Sequence, residues 1–183
     1  GDSESSLCKQ IDQFCRAGKN EDALELIRRW LKNEGKLTAS LAGRYVDQLI
    51  HTGQTAELCK RKRLLLRTLV QSGDRHRTAA VFDICCAKEG DINIDSAILV
   101  RIGEMLSADD RPRDAVRVYS ALVKNQPDAP EAPLAYFMAA RAFHENLMLP
   151  EKAKKILKQL IHKFPDHDVA PDANAYLKKI DEQ

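Results

Sequence analysis

The chain has 183 residues, 44% hydrophobic and 31% charged, with a formal net charge of +2. This is the composition of a soluble folded protein, long enough for one ordinary domain or a short solenoid. No apolar run approaches the roughly 18 residues of a transmembrane helix. Aromatics make up only 5%, and Leu, Ala, Lys, Arg and Glu outnumber Val and Ile, a balance that favours helix over strand.

The opening Gly1-Asp2-Ser3-Glu4-Ser5-Ser6 has no charged-then-apolar signal architecture. It also lacks an initiator Met, which reads as a cut or processed chain that could have lost a tether or a second domain. From there, breakers divide the sequence into helix-length segments whose apolar residues recur at three- and four-residue spacing. Leu7, Ile11 and Phe14, then Ala23, Leu26, Ile27 and Trp30, make a first hairpin around Gly18. Leu37, Leu41, Tyr45 and Leu49 stripe the next helix. A further helix runs from about Ala56 to Val70, and another with Ala79, Phe82 and Cys86 follows Gly73.

Asp95 stands where it would cap a helix carrying Ile98, Leu99, Ile102 and Leu106. Arg111-Pro112 opens its partner, since proline is tolerated in a first helical turn. Ala132 to Leu147 and Glu151 to Phe164 form the next pair, and Ala170 to Ile180 a last helix whose Lys178 and Lys179 suit a helix C-terminus. The count is about ten helices and no strand, because no period-two alternation persists.

Two of these segments repeat each other. Ala115 is followed by Tyr119, Leu122 and Pro127, and Ala153 at the same intervals by Leu157, Leu160 and Pro165. Ala23, with Ile27, Trp30 and Gly35, is a looser copy. Such recurrence indicates stacked helical hairpins, each too small to bury its own apolar face.

Extended upstream, the pattern reads Leu99, Ile102-Gly103, Leu106, Ala115, Tyr119, Pro127, and then Phe137, Ala140-Arg141, His144, Ala153, Leu157, Pro165. It resembles the tetratricopeptide repeat, with Arg141 replacing the glycine of the second copy. Leu7, Gln10-Ile11, Phe14, Ala23 and Ile27 make a weak first copy, and Leu65, Leu66, Leu69, Thr78 and Phe82 a poor middle one. The tail from Phe164 to Ala173 is similar to bacterial repeat proteins of envelope assembly, which implies a bacterial source without assigning any residue a role. The expected fold is all-α, a right-handed solenoid of antiparallel hairpins forming one domain over residues 1–183. Its repeats are degenerate over about 1–92 and clearer over about 95–166, with a capping helix at about 170–182. In this register Gly103 and Ala115 face each other across one hairpin.

Cys8, Cys15, Cys59, Cys85 and Cys86 are odd in number and include no Cys-x-x-Cys. They read as reduced, buried thiols of a cytoplasmic or cytoplasm-facing protein, with Cys59, beside Lys60 and Arg61, the candidate reactive one. Cys8 and Cys15 lie about 10 Å apart along one helix, too far to bridge. His51, His76, His144, His162 and His167 show no metal-binding spacing, and His144 occupies a packing slot. With no nucleotide-binding loop or nucleophile motif either, an enzyme, a metal and a cofactor are not expected.

The expected function is a scaffold for a protein or peptide. Glu104, Met138, Ala142 and Glu145 would line a concave groove, with Arg101 at its margin. Apolar surface mixed with acids suits an amphipathic segment carrying Lys or Arg. The alternative is nucleic-acid or anionic-surface binding through Lys60, Arg61, Lys62, Arg63, Arg67, Arg75 and Arg77, which with one acid, Asp74, give residues 60–77 a local charge of +6. No aromatic is interleaved there for base stacking, so nucleic acid is the less favoured partner.

Overall fold

Apolar spacing of three and four residues makes helix throughout. The computed structural model describes residues 2–33, 35–86 and 92–183, and among these it has eleven α-helices and no strand. Packing divides the chain into two compact units, Gly1–Glu89 and Gly90–Gln183.

The N-terminal unit holds α1 (Asp2–Arg16), α2 (Asn20–Lys32), α3 (Ala39–His51), α4 (Thr55–Lys60), α5 (Lys62–Gln71) and α6 (Arg75–Cys85). Its core is Ile11, Leu24, Ile27, Leu41, Tyr45, Leu49, Leu65, Leu66, Leu69 and Phe82, all fully buried. The single helix expected from Ala56 to Val70 is two, because the backbone leaves helical geometry at Arg61 (φ −98°, ψ 6°). The break lets α4 pack on α6 while α5 packs on both α3 and α6.

The C-terminal unit holds α7 (Ser96–Ala108), α8 (Pro112–Asn125), α9 (Ala132–Arg141), a π-helical turn (Ala142–Asn146), α10 (Pro150–Lys163) and α11 (Ala170–Asp181). Each helix packs on the next. Leu99, Ile102, Ala115, Val118, Leu122, Ala140, Ala153, Leu157 and Leu160 are fully buried. Asp95 does precede α7, but its side chain makes no capping bond.

One turn recurs at every hairpin. Gly18, Gly53 and Gly73 have φ of 74°, 71° and 75°, and Asp110 and Met148 hold the same place at 59° and 55°. In the first four turns the following amide donates to the carbonyl five residues back, as in Asp74 to Leu69 and Arg111 to Leu106. This left-handed residue satisfies carbonyls that a helix end leaves open. The fifth turn is wider, with Leu149 N–H reaching Phe143 through the π-helical segment. These turns fix the hairpins as α1/α2, α3/α4, α5/α6, α7/α8 and α9/α10; the first was legible around Gly18, but the register from residue 36 onward in this unit was not.

Packing refines one expectation and corrects another. A Cβ on Gly103 would collide with the ring of Tyr119, so across the α7/α8 hairpin the glycine makes room for that ring, one turn along α8 from Ala115. Cys59 and Cys85 are disulfide-bonded, with Cα atoms 5.1 Å apart, while Cys8, Cys15 and Cys86 are free. The reduced-thiol reading therefore holds for Cys8, Cys15 and Cys86 and fails for Cys59 and Cys85, and with it the reactive role for Cys59. The pair is 26 residues apart in sequence, and only the packing of α4 on α6 joins it. Among the described residues, no helix is long and apolar enough to cross a membrane.

Candidate functional site

Small residues shape the C-terminal unit. Gly103 on α7 admits the Tyr119 ring from α8, and Ala135, Ala139 and Ala140 keep the α9 backbone close to its neighbours. Where α9 widens into the π-helical turn, a cleft of about 340 Å³ opens. Glu104 and Ser107 on α7, Tyr119 on α8, Met138 and Arg141 on α9, and Ala142, Glu145 and Asn146 from the turn line it. Four residues expected in a groove, Glu104, Met138, Ala142 and Glu145, thus share one cleft. Arg101 is exposed on α7 and is not among the lining residues.

Neighbours hold Glu145. Arg141 Nε lies 3.5 Å from its Oε1, and the Tyr176 hydroxyl on α11 donates to the same oxygen at 3.1 Å. Burial and this carboxylate push Tyr176 up to about 12. His144 sits edge-on to Tyr176, with Nδ1 2.7 Å from its hydroxyl and Nε2 3.0 Å from Gln183 Oε1. The expected packing role of His144 is therefore joined by a polar one.

Tyr119 is 1% exposed, and its hydroxyl makes no hydrogen bond of normal geometry, although the Ser107 hydroxyl beside it acts on it weakly. Burial, then the charge of Glu104, raises it well above the usual phenol range and keeps it neutral. Sequence reasoning missed this hydroxyl because Tyr119 fills a repeat slot that the next copy gives to Leu157. The available signal was a polar-tipped residue in an otherwise apolar slot.

In the N-terminal unit the basic residues do not share one role. Lys60 ends α4 and Arg61 marks the break; Lys62, Arg63 and Arg67 follow on α5, and Arg75 and Arg77 on α6. Arg77 faces inward, with Nε and Nη2 each 2.8 Å from the two oxygens of Asp47 and Nη1 2.8 Å from Asp74. It lies over Gly43, where a Cβ would come within 3.3 Å of the guanidinium. Lys60, Arg61, Arg63, Arg67 and Arg75 are exposed. Among the described residues no cluster of His, Cys, Asp or Glu could hold a metal ion.

Residues 134–167, spanning α9, the π-helical turn and α10, match the tetratricopeptide repeat family. With that match and its helical hairpins, the chain is a tetratricopeptide-like, all-helical repeat protein. No curated protein matches the sequence. Among solved structures, MamA (AMB-1) is similar at 14% identity over 92% of this chain and 96% of its own, with a TM-score of 0.46. A Podosopora anserina protein with nearly identical tetratricopeptide-like repeats is 15% identical over 96% of this chain and 84% of its own, also at 0.46.

Proposed function

We propose that the chain is a non-enzymatic scaffold that holds a peptide or protein segment in the cleft between α7, α8 and α9. Tetratricopeptide-like folds are in general protein–protein interaction scaffolds. The observation that carries the reading here is a single cleft in which apolar Met138 and Ala142 lie beside the carboxylates of Glu104 and Glu145. The double variant Glu104→Lys/Glu145→Lys should fold normally by circular dichroism and lose a captured partner. Recovery of the same proteins by variant and parent would refute this placement.

A second reading rests on the five exposed basic side chains between residues 60 and 75, which favour binding to nucleic acid or an anionic surface. Arg77 is left out of that set because it is only half-exposed, its guanidinium turned onto Asp47 and Asp74. Phosphate contacts release counterions, so retention on a polyanion column should fall steeply from low to physiological salt. No retention at low salt removes the reading.

A further inference from the structure

The geometry points to the α7–α9 cleft as a cation subsite, taking one lysine or arginine side chain of a partner peptide, with Tyr119 as the residue that selects for it. The inference rests on the peptide-scaffold reading and adds what that reading leaves open, the chemistry at the bottom of the cleft. Its carrying observation is the Tyr119 hydroxyl, a buried polar group on the cleft wall that makes no hydrogen bond of normal geometry and has only the weakly acting Ser107 hydroxyl beside it. Burial of such a group without a hydrogen bond is unfavourable, and a ligand that supplies the bond removes the penalty.

The surroundings state which kind of ligand. Glu104 has no cationic partner among the described residues, and its charge acts directly on the Tyr119 hydroxyl. Glu145 lines the same cleft, held by Tyr176 and, at 3.5 Å, only loosely by Arg141. An arriving ammonium or guanidinium can donate to Glu104, to Glu145 and to the Tyr119 oxygen, because each cation carries at least three N–H donors. The Tyr119 hydroxyl keeps its own proton, so its oxygen serves as the neutral acceptor between two charged ones. An anionic side chain would meet two carboxylates at close range. An apolar one would leave the hydroxyl unpaired. Met138 and Ala142 offer apolar surface to the methylene stem of Lys or Arg.

The test is selection of random twelve-residue peptides on the intact chain, followed by affinity measurement on variants. Selected peptides should carry Lys or Arg at one fixed position. Changing that residue to norleucine should weaken binding by about 10-fold or more, the scale of a hydrogen bond to a charged group. Swapping Lys and Arg there shows which head group fits better. Tyr119→Phe should leave the unfolding midpoint unchanged or higher, since it deletes an unpaired hydroxyl, yet weaken the same peptide by roughly 10-fold. Glu104→Gln should weaken it and flatten its salt dependence.

Selected peptides without a fixed cation, or full affinity in both Tyr119→Phe and Glu104→Gln, would overturn the subsite and leave the scaffold reading standing. If no peptide is selected at all, both fall. Because Phe keeps the ring against Gly103, a loss of binding in Tyr119→Phe reports the hydroxyl and not the packing.

Discussion

In residues 2–86 the hairpin turns place glycine at positive φ, and arginines pair with acids on other helices. In residues 92–183 Asp110 and Met148 take the turn position, and the helices approach through glycine, alanine and aromatic rings. The N-terminal ties recur at repeat-like intervals: Asp12 with Arg44, Arg28 with Glu57 and Asp47 with Arg77. Arg28 also holds Glu25, and Tyr45 donates to Glu57 at 2.6 Å. Several C-terminal ion pairs instead join neighbouring turns, as Arg117 with Asp114 and Arg141 with Glu145 do, although Lys154 on α10 also reaches Asp181 on α11. The two units have the same helical hairpin but hold its copies together by different forces, one sensitive to charge and redox state, the other to volume.

The largest separation of the two should come from reducing agent. Opening the Cys59–Cys85 link frees a loop spanning 26 residues, worth about 3 kcal/mol in the loop-entropy account. Hydrogen exchange should accelerate in α4 to α6 and stay unchanged in α8 to α10. Equal acceleration in both units would mean that the link does not act locally.

Next in size is Ala115→Leu, which overpacks a fully buried position and should destabilise the C-terminal unit by about 1–3 kcal/mol. Ala129→Leu, in the link before α9, should stay within about 0.5 kcal/mol. Chemical denaturation of the two variants decides whether volume governs this unit.

At the turns the expected signs are opposite. Met148 is 74% exposed and left-handed, so Met148→Gly relieves backbone strain with little packing lost and should stabilise by about 1 kcal/mol. Gly53→Ala should destabilise by a similar amount, about 1 kcal/mol. Thermal melting that shows the same sign for both would break the equivalence drawn between these turns.

The smallest effect is acid sensitivity. The Arg28 guanidinium, and then the Tyr45 hydroxyl, hold the Glu57 carboxyl below the usual range against the opposing effect of burial, and Arg44 does the same for Asp12. A depressed carboxyl stabilises the fold above its unfolded pKa of about 4.3 or 3.9. That stability is lost as pH falls through the folded value. Both groups lie in the N-terminal unit and are partly exposed, so its loss between about pH 5 and 3 should be roughly 1 kcal/mol. Glu57→Gln should abolish most of the difference in pH dependence between the units.

Helix positions were legible because Leu, Ile and Ala mark one face every three or four residues, and the alanine-to-proline interval displayed the clearer repeats. The register of residues 36–86 was not, since its marks are single glycines in turns, indistinguishable in sequence from any other breaker. Helix spacing placed Glu104, Met138, Ala142 and Glu145 on corresponding faces, because that depends only on period. The inward turn of Arg77 and the Cys59–Cys85 link depend on which helices meet, which periodicity does not encode. The Tyr119 hydroxyl was hidden for a related reason: a repeat slot specifies a ring and says nothing about its tip.

The disulfide also changes the route by which the chain transmits tension. All seven basic residues between 60 and 77 lie inside the covalent ring that runs from Cys59 to Cys85. A pull applied to the two ends crosses the sulfur–sulfur bond and bypasses α5 and nearly all of α6. Roughly 80–90 Å of contour length should stay withheld until the bond is reduced. A protease that cuts once after Lys62 or Arg67 should likewise leave one connected molecule, whose two pieces part only in the presence of thiol.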